Sequence, residues 1–169
     1  MTEQRPPYGH AVSAATGAFA LYVTTLAPTT WFWDTSEYIA TAYILGIPHP
    51  PGSPLFVILA KAWTLLLAPT GLSVAVRVNL LAAITSAAAT GFFFLVAHRV
   101  LLGWLARAGA VPSPGSREGA PGSSSWSLGP GALALVGAWC GAVLGATAFT
   151  VWNQSNVNEK VYTVSMLSV

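Results

Sequence analysis

Residues 79–97 carry no charged side chain, and this run constrains the fold more than any other feature of the chain. Coiled as an α-helix at 1.5 Å per residue, it extends about 28 Å, close to the ~30 Å hydrocarbon core of a bilayer. Arg77 stands before it, and His98 and Arg99 stand behind it. Residues 131–152 form a second uncharged stretch, built largely from Gly, Ala and Val, which let membrane helices approach closely. Composition supports the same solvent. Charged residues make up 7% of the chain and hydrophobic ones 54%, with a mean hydropathy of +0.61. An ordinary soluble domain carries roughly 25% charge. So few charges cannot cover a water-soluble globule, which excludes a cytosolic enzyme, a secreted disulfide domain and a disordered tail. The chain has no basic cluster, so a nucleic-acid partner has no electrostatic footprint. The single cysteine, Cys140, excludes an internal disulfide and a Cys-based metal site.

The remaining segments divide the chain. Residues 1–10 read as a polar cytoplasmic tail and 11–27 as a first, short transmembrane helix. Residues 28–73 break the apolar pattern and are expected to form an extracytoplasmic acidic loop with interfacial helices. Within it, Trp31, Phe32 and Trp33 fit an interfacial aromatic belt. A short helix is expected over 34–45, stopped by Gly46 and Pro48. A second covers 54–67, a length more often re-entrant or interfacial than spanning, and carries Lys61. Residues 74–105 are the next span, 106–130 a flexible Gly/Pro/Ser linker and 131–152 a further span. Residues 153–169 form a polar loop and the start of another apolar helix. The chain is therefore expected to be the N-terminal part of a longer multipass protein. If 54–67 does not cross, Arg99, Arg107 and Arg117 share one side, which the positive-inside rule makes cytoplasmic. Asp34, Glu37, His49, Arg77 and Glu159 then share the other.

Those five residues are the candidates for chemistry. Asp34 and Glu37, spaced i, i+3, share a helix face and can act as a general base or hold a divalent cation. The same spacing equally suits a capping box, with Asp34 as N-cap and Glu37 at the third helical position. His49 stands between Pro48 and Pro50, whose fixed φ stiffens the loop; such a histidine suits substrate binding or a purely structural bond. Arg77 at a span end suits a phosphate, or snorkelling to lipid headgroups. Glu159, beside Lys160, is either a helix-start acid or a third carboxylate at the same site.

The order of these segments resembles one family. Trp33-Asp34 with Glu37, Gly46 with His49-Pro50-Pro51-Gly52, Arg77 with Asn79, and Glu159 with Tyr162 match its W-D-x-x-E, G-x-x-H-P-P-G, R-x-N and E-x-Y segments. The family is that of the multipass protein O-mannosyltransferases of the endoplasmic reticulum that modify plexin-type receptors, with bacterial relatives filed as a domain of unknown function. The resemblance implies an all-α fold, a polytopic transmembrane helix bundle forming the N-terminal part of a GT-C type glycosyltransferase. It implies a membrane glycosyltransferase moving a sugar, mannose, from a polyprenyl-phosphate donor to a hydroxyl acceptor, protein Ser/Thr, at the extracytoplasmic face. Asp34 and Glu37 are then the catalytic residues. His49, Arg77, Asn79, Glu159 and Tyr162 bind substrate, and a divalent cation is a candidate cofactor. The expected partners are the lipid-linked donor, a protein or glycan acceptor and membrane lipids. The expected location is a bacterial inner membrane or the endoplasmic reticulum membrane, with the site facing periplasm or lumen. The cation at Lys160 departs from the family pattern and weakens the case for Glu159. A fragment lacking the later helices should be inactive alone.

Two other classes fit the residues without the resemblance. One is a transporter or channel with an acidic vestibule, which ordinarily places ionisable groups at mid-bilayer. The other is a non-catalytic membrane subunit whose acidic loop docks a partner.

Overall fold

The computed structural model describes residues 5–30, 34–50, 53–108 and 128–156, and every regular element among them is helical. In chain order these are α1 (Tyr8–Thr24), α2 (Thr35–Ile44), α3 (Pro54–Leu66), a 3-10 turn at Ala68–Thr70, α4 (Val74–Arg107), α5 (Pro130–Thr147) and α6 (Phe149–Asn156). The linker residues 109–127, the aromatic triplet Trp31–Trp33 and residues 157–169, which include Glu159 and Tyr162, lie outside the described residues.

Helix α4 is the axis of the bundle, with α1, α3, α5 and α6 packed around it. Ser73, in an extended conformation, starts it by accepting the Val76 N–H at 3.3 Å, so one orphan donor of the first turn is satisfied. Its 34 residues extend about 51 Å, well beyond a bilayer core. Helices α4 and α5 are both long and apolar enough to cross a membrane. Helix α1, at 17 residues, and α3, at 13, are shorter.

Small residues at helical spacing bring α1, α4 and α5 together. On α5, Ala134, Ala138, Ala142 and Ala146 recur every fourth residue and are all buried. On α1 the buried set is Ala11, Ala14, Ala18 and Tyr22. Gly91 on α4 sits where a Cβ would come within 3.0 Å of the Ala11 carbonyl oxygen, so the backbones of α1 and α4 meet there. One cluster joins Ala11, Ala14, Phe94, Ala138 and Ala142; a second joins Ala18, Tyr22, Ala83, Ala87 and Ala146. As residue numbers rise along α1 and α5 they fall along α4. The three helices therefore run up, down and up, with residues 22–29, 79 and 146–152 at one end. At that end the Tyr22 hydroxyl donates to the Ala146 carbonyl at 3.0 Å in a buried bond. At the other end His10 and His98 flank Phe94, and Trp139 Nε1 donates to His10 Nδ1 at 3.3 Å.

Residues 131–152, expected as one helix, are broken at Ala148, which adopts an extended ψ of 131°. Beyond the break Trp152 Nε1 donates to Thr25 Oγ1 at 3.0 Å, so α6 is held against the end of α1. Cys140 lies exposed on α5.

Helices α2 and α3 form a hairpin over the N-terminal part of α4. Tyr38, Ile39 and Ala42 from α2 pack with Phe56, Val57 and Ala60 from α3 and with Val78 and Leu81 from α4. The chain leaves α2 through Leu45, in the left-handed region at φ 56°, a position glycine ordinarily takes. Gly46 serves the turn differently: its N–H donates to the Thr41 carbonyl at 2.9 Å, and a Cβ there would lie 3.3 Å from the side chains of Ile44 and Thr41. The lone charge on α3 also has a local purpose. Lys61 donates to the Tyr43 carbonyl in the last turn of α2 and lies 5.1 Å from the centre of the Tyr43 ring. A cation at that end complements the helix dipole. Ile44, Ile47, Leu55 and Ile58 face outward, giving the hairpin an apolar outer side.

Candidate active site

Asp34 immediately precedes α2 and is its N-cap by position, yet its side chain makes no capping hydrogen bond. Glu37 does not complete a capping box either, because both of its oxygens are directed at His49. Glu37 Oε1 accepts the His49 main-chain N–H at 2.7 Å, and Oε2 lies 2.8 Å from His49 Nδ1. The capping alternative is thus displaced by a bond twelve residues away in sequence. Leu45 and the Pro48/Pro50 pair make this reach possible: the left-handed residue reverses the chain, and the prolines, each with a fixed φ, restrict the loop on either side of His49. Pro48 is fully buried, so the loop is anchored beside the imidazole it presents.

Asp34 completes the group. Its Oδ2 lies 3.7 Å from His49 Nε2, the ring nitrogen opposite the one that Glu37 engages. Tyr38 forms the floor, with its ring edge-on to His49 at 6.0 Å and to Phe56 at 5.6 Å. Side chains of Asp34, Glu37 and His49 keep 34%, 38% and 44% of their surface, so the group is open to solvent and to a ligand. The His49 side-chain bond, then its main-chain N–H, hold the Glu37 carboxyl below the ordinary value of 4.5, against a small desolvation effect. Glu37 is therefore a carboxylate at neutral pH. Since a carboxylate only accepts, Nδ1 of His49 carries a proton.

One ligand atom from each of Asp34, Glu37 and His49 falls within 4.8 Å of the others, a spacing at which a metal ion fits. The set offers two hard oxygens and an imidazole nitrogen, which suits several divalent cations.

Of the sequence candidates, the structure brings Asp34, Glu37 and His49 together. Arg77 is directed at main-chain carbonyls before α4 and at the end of α3: Nε donates to Leu72 at 2.7 Å and a terminal nitrogen to Thr64 at 3.2 Å. Trp63 Nε1 in turn donates to the Arg77 carbonyl at 2.8 Å, so these bonds lash α3 to the first turn of α4. Asn79, fully buried, donates to the carbonyls of Ala27 at 3.0 Å and Thr29 at 3.3 Å. It fixes the start of the segment that leads to Asp34. Glu159 and Tyr162 fall outside the described residues. Sequence reasoning missed Tyr38. An aromatic at helical spacing reads as core, and only the fold shows that its edge supports His49.

Two apolar helices long enough to cross a membrane, with an acidic and histidine cluster on a hairpin packed against one of them, define an all-helical chain with a polar site. Comparison with known proteins narrows this class. The model of the family described as the N-terminal domain of protein O-mannosyl-transferase TMEM260 matches residues 34–169, most of the chain. The chain belongs to that family. The mouse protein O-mannosyl-transferase TMEM260 is 46% identical over 67 residues, which cover 40% of this chain and 9% of the mouse protein. The Dictyostelium discoideum protein of the same name is 30% identical over 78 residues, 46% of this chain and 10% of that protein. The alignments thus span about a tenth of these relatives' length. No solved structure matches the chain.

Proposed function

We propose that the chain forms the N-terminal part of a GT-C type membrane mannosyltransferase. In this reading its polytopic bundle places the α2–α3 hairpin at the extracytoplasmic membrane surface, facing lumen or periplasm. The donor is a polyprenyl-phosphate mannose and the acceptor a protein hydroxyl. The observation that carries the reading is the Asp34 carboxylate, unspent as a cap, directed at His49 at the end of the bundle. The names of the relatives supply the reaction class.

The step needs a base, an anchored donor and a path for the leaving group. The acceptor oxygen forms a bond to the anomeric carbon while its proton passes to Asp34. The bond from that carbon to the phosphate oxygen breaks, and its electron pair leaves with the phosphate. Glu37 supports the base, and His49 lines the donor side of the same pocket. The family pattern assigns Arg77, Glu159 and Tyr162 to the substrate pocket; Asn79, which it also includes, serves the site through the Ala27 and Thr29 carbonyls of the segment that leads to Asp34. A lipid tail would lie along the apolar helices.

The test is transfer from labelled polyprenyl-phosphate mannose to a protein acceptor by the full-length protein. A positioned general base contributes about 10²–10⁴-fold. Asp34→Asn should remove that factor while membrane insertion and expression stay as in the wild type. Transfer at the wild-type rate by Asp34→Asn would overturn the assignment of the base.

A further inference from the structure

We infer that α3 is a re-entrant helix whose outward side lies in the hydrocarbon edge of a single lipid leaflet, with Lys61, Arg77, Trp63 and Tyr43 at the depth of the headgroups. This inference rests on the membrane placement proposed above and names the leaflet as the partner that covers the helix.

Helix α3 is apolar on two opposite sides. Phe56, Val57 and Ala60 are buried against α2 and α4. Leu55, Ile58, Leu59, Ala62, Leu65 and Leu66 are all exposed. Their spacings of three and four residues gather them into one stripe, which no described residue covers. A contiguous patch of leucine and isoleucine is the kind of surface that marks a membrane or protein contact.

The bonds around Arg77 identify which contact it is. Arg77 donates to the Thr64 carbonyl at 3.2 Å, and Trp63 Nε1 donates to the Arg77 carbonyl at 2.8 Å. The C-terminal half of α3 is thus level with Arg77, the last charge before the uncharged residues 79–97. The N-terminal half packs with Val78 and Leu81, farther along α4. Helix α3 therefore runs against α4, and its Pro54 end points into the uncharged stretch. Two cations and two amphipathic aromatics gather at the upper level, the composition of a headgroup boundary. Lys61 spends one N–H on the Tyr43 carbonyl, which leaves two of its three donors for lipid phosphate. From Lys61 to Leu55 the helix descends at most about 9 Å at 1.5 Å per residue, within the ~5–10 Å reached by interfacial helices and far short of a crossing. The same side of α4 stays bare below this point. Phe92, about three turns beyond Leu81, is exposed, so the stripe continues onto a helix of spanning length. Phe56, next to Leu55, supports the edge of Tyr38, whose ring meets His49. The leaflet thereby steadies the helix that carries the floor of the site.

Spin-label accessibility on the full-length protein tests this in vesicles of phosphatidylcholine and phosphatidylglycerol. Nitroxides are attached singly at Leu55→Cys, Ile58→Cys, Leu65→Cys and Thr70→Cys, with Cys140 and any other reactive cysteine replaced. All four side chains are exposed, so the label displaces no packing. Collision with molecular oxygen reports lipid, and collision with a water-soluble nickel chelate reports water. The ratio of oxygen to chelate accessibility should fall in the order Leu55, Ile58, Leu65, Thr70, with the chelate dominant at Thr70. Chelate access at Leu55 and Ile58 equal to that at Thr70 would put the stripe in water and overturn the inference. Low access to both reagents with an immobilised spectrum would mean that another protein segment covers the stripe, which overturns it as well. A depth at Leu55 matching the bilayer centre would make α3 a deep insertion and also refute the shallow one. None of these readings needs mannosyl transfer. An inactive protein with the expected pattern keeps the inference and loses the reaction, whereas an active protein without the pattern loses the inference alone.

Discussion

Asn79 offers the clearest separation of a structural from a binding role. Its side chain is fully buried on α4 and donates to the carbonyls of Ala27 and Thr29, before the residues that lead to Asp34. Asn79→Ala deletes both bonds. Each is worth about 1 kcal/mol net, and a carbonyl left buried without its donor costs about 1 kcal/mol more. Ala27 is only 7% exposed, so water cannot replace the amide at that carbonyl without opening the segment. The sum is about 2–3 kcal/mol of local stability, or roughly 30- to 150-fold in the opening equilibrium. Amide hydrogen exchange on the full-length protein in detergent reads this directly. Exchange across residues 25–30 and the first turn of α2 should accelerate by that factor, while the α4–α5 contact around Phe94 and Ala138 keeps its protection. Transfer should fall through kcat, with donor KM nearly unchanged, because the base is displaced and the donor pocket is not. Wild-type exchange in this segment together with a raised donor KM would refute the structural argument and make Asn79 a donor ligand.

Two further outcomes follow from the packing and the clamp. Gly91→Leu should loosen the contact of α1 with α4, since even its Cβ meets the Ala11 carbonyl at 3.0 Å and the Ala15 Cβ at 3.2 Å. Overpacking of this kind costs about 1–3 kcal/mol, read as a lower thermal midpoint in detergent, and an unchanged midpoint would refute the close approach. The Glu37 clamp has a definite pH sign. Because His49 lowers the Glu37 pKa, its contribution is fully present above 4.5 and is lost as pH falls through the depressed folded value. Protection of the His49 amide, once corrected for intrinsic exchange, should therefore be flat from neutrality down to that region and fall only below it. A loss between pH 7 and 5 would mean that the clamp depends on a group other than Glu37.

The helical class and the uncharged run of α4 were legible from the sequence, because lipid and backbone chemistry leave a chain of this composition few alternatives. Element ends were less so. The stop of α2 falls to Leu45, which takes the left-handed conformation, rather than to Gly46, whose N–H closes the turn on the Thr41 carbonyl. The break at Ala148 has no local signal; beyond it Trp152 bonds Thr25 across the bundle, a contact between residues 127 positions apart. The place of Lys61 on an apolar helix is explained only by α2, which puts carbonyl oxygen and an aromatic face beside it.

The site shows the same division between local and long-range information. Spacing placed Asp34 and Glu37 on one face, and spacing also offered the capping box as an equal account of both. Local geometry favours the cap, because the N–H groups of the first turn are close by and the entropic cost of engaging them is small. Glu37 instead bonds His49, reached through a left-handed leucine that costs about 1–2 kcal/mol and a loop held by prolines. A fold that tolerates backbone strain to carry an imidazole to a carboxylate, and leaves a neighbouring aspartate without its easiest bond, has traded local stability for an arranged set of groups. Such departures from local preference concentrate where side chains perform chemistry. On that ground the His49 loop, more than the acidic pair itself, marks this end of the bundle as the place to look for the reaction.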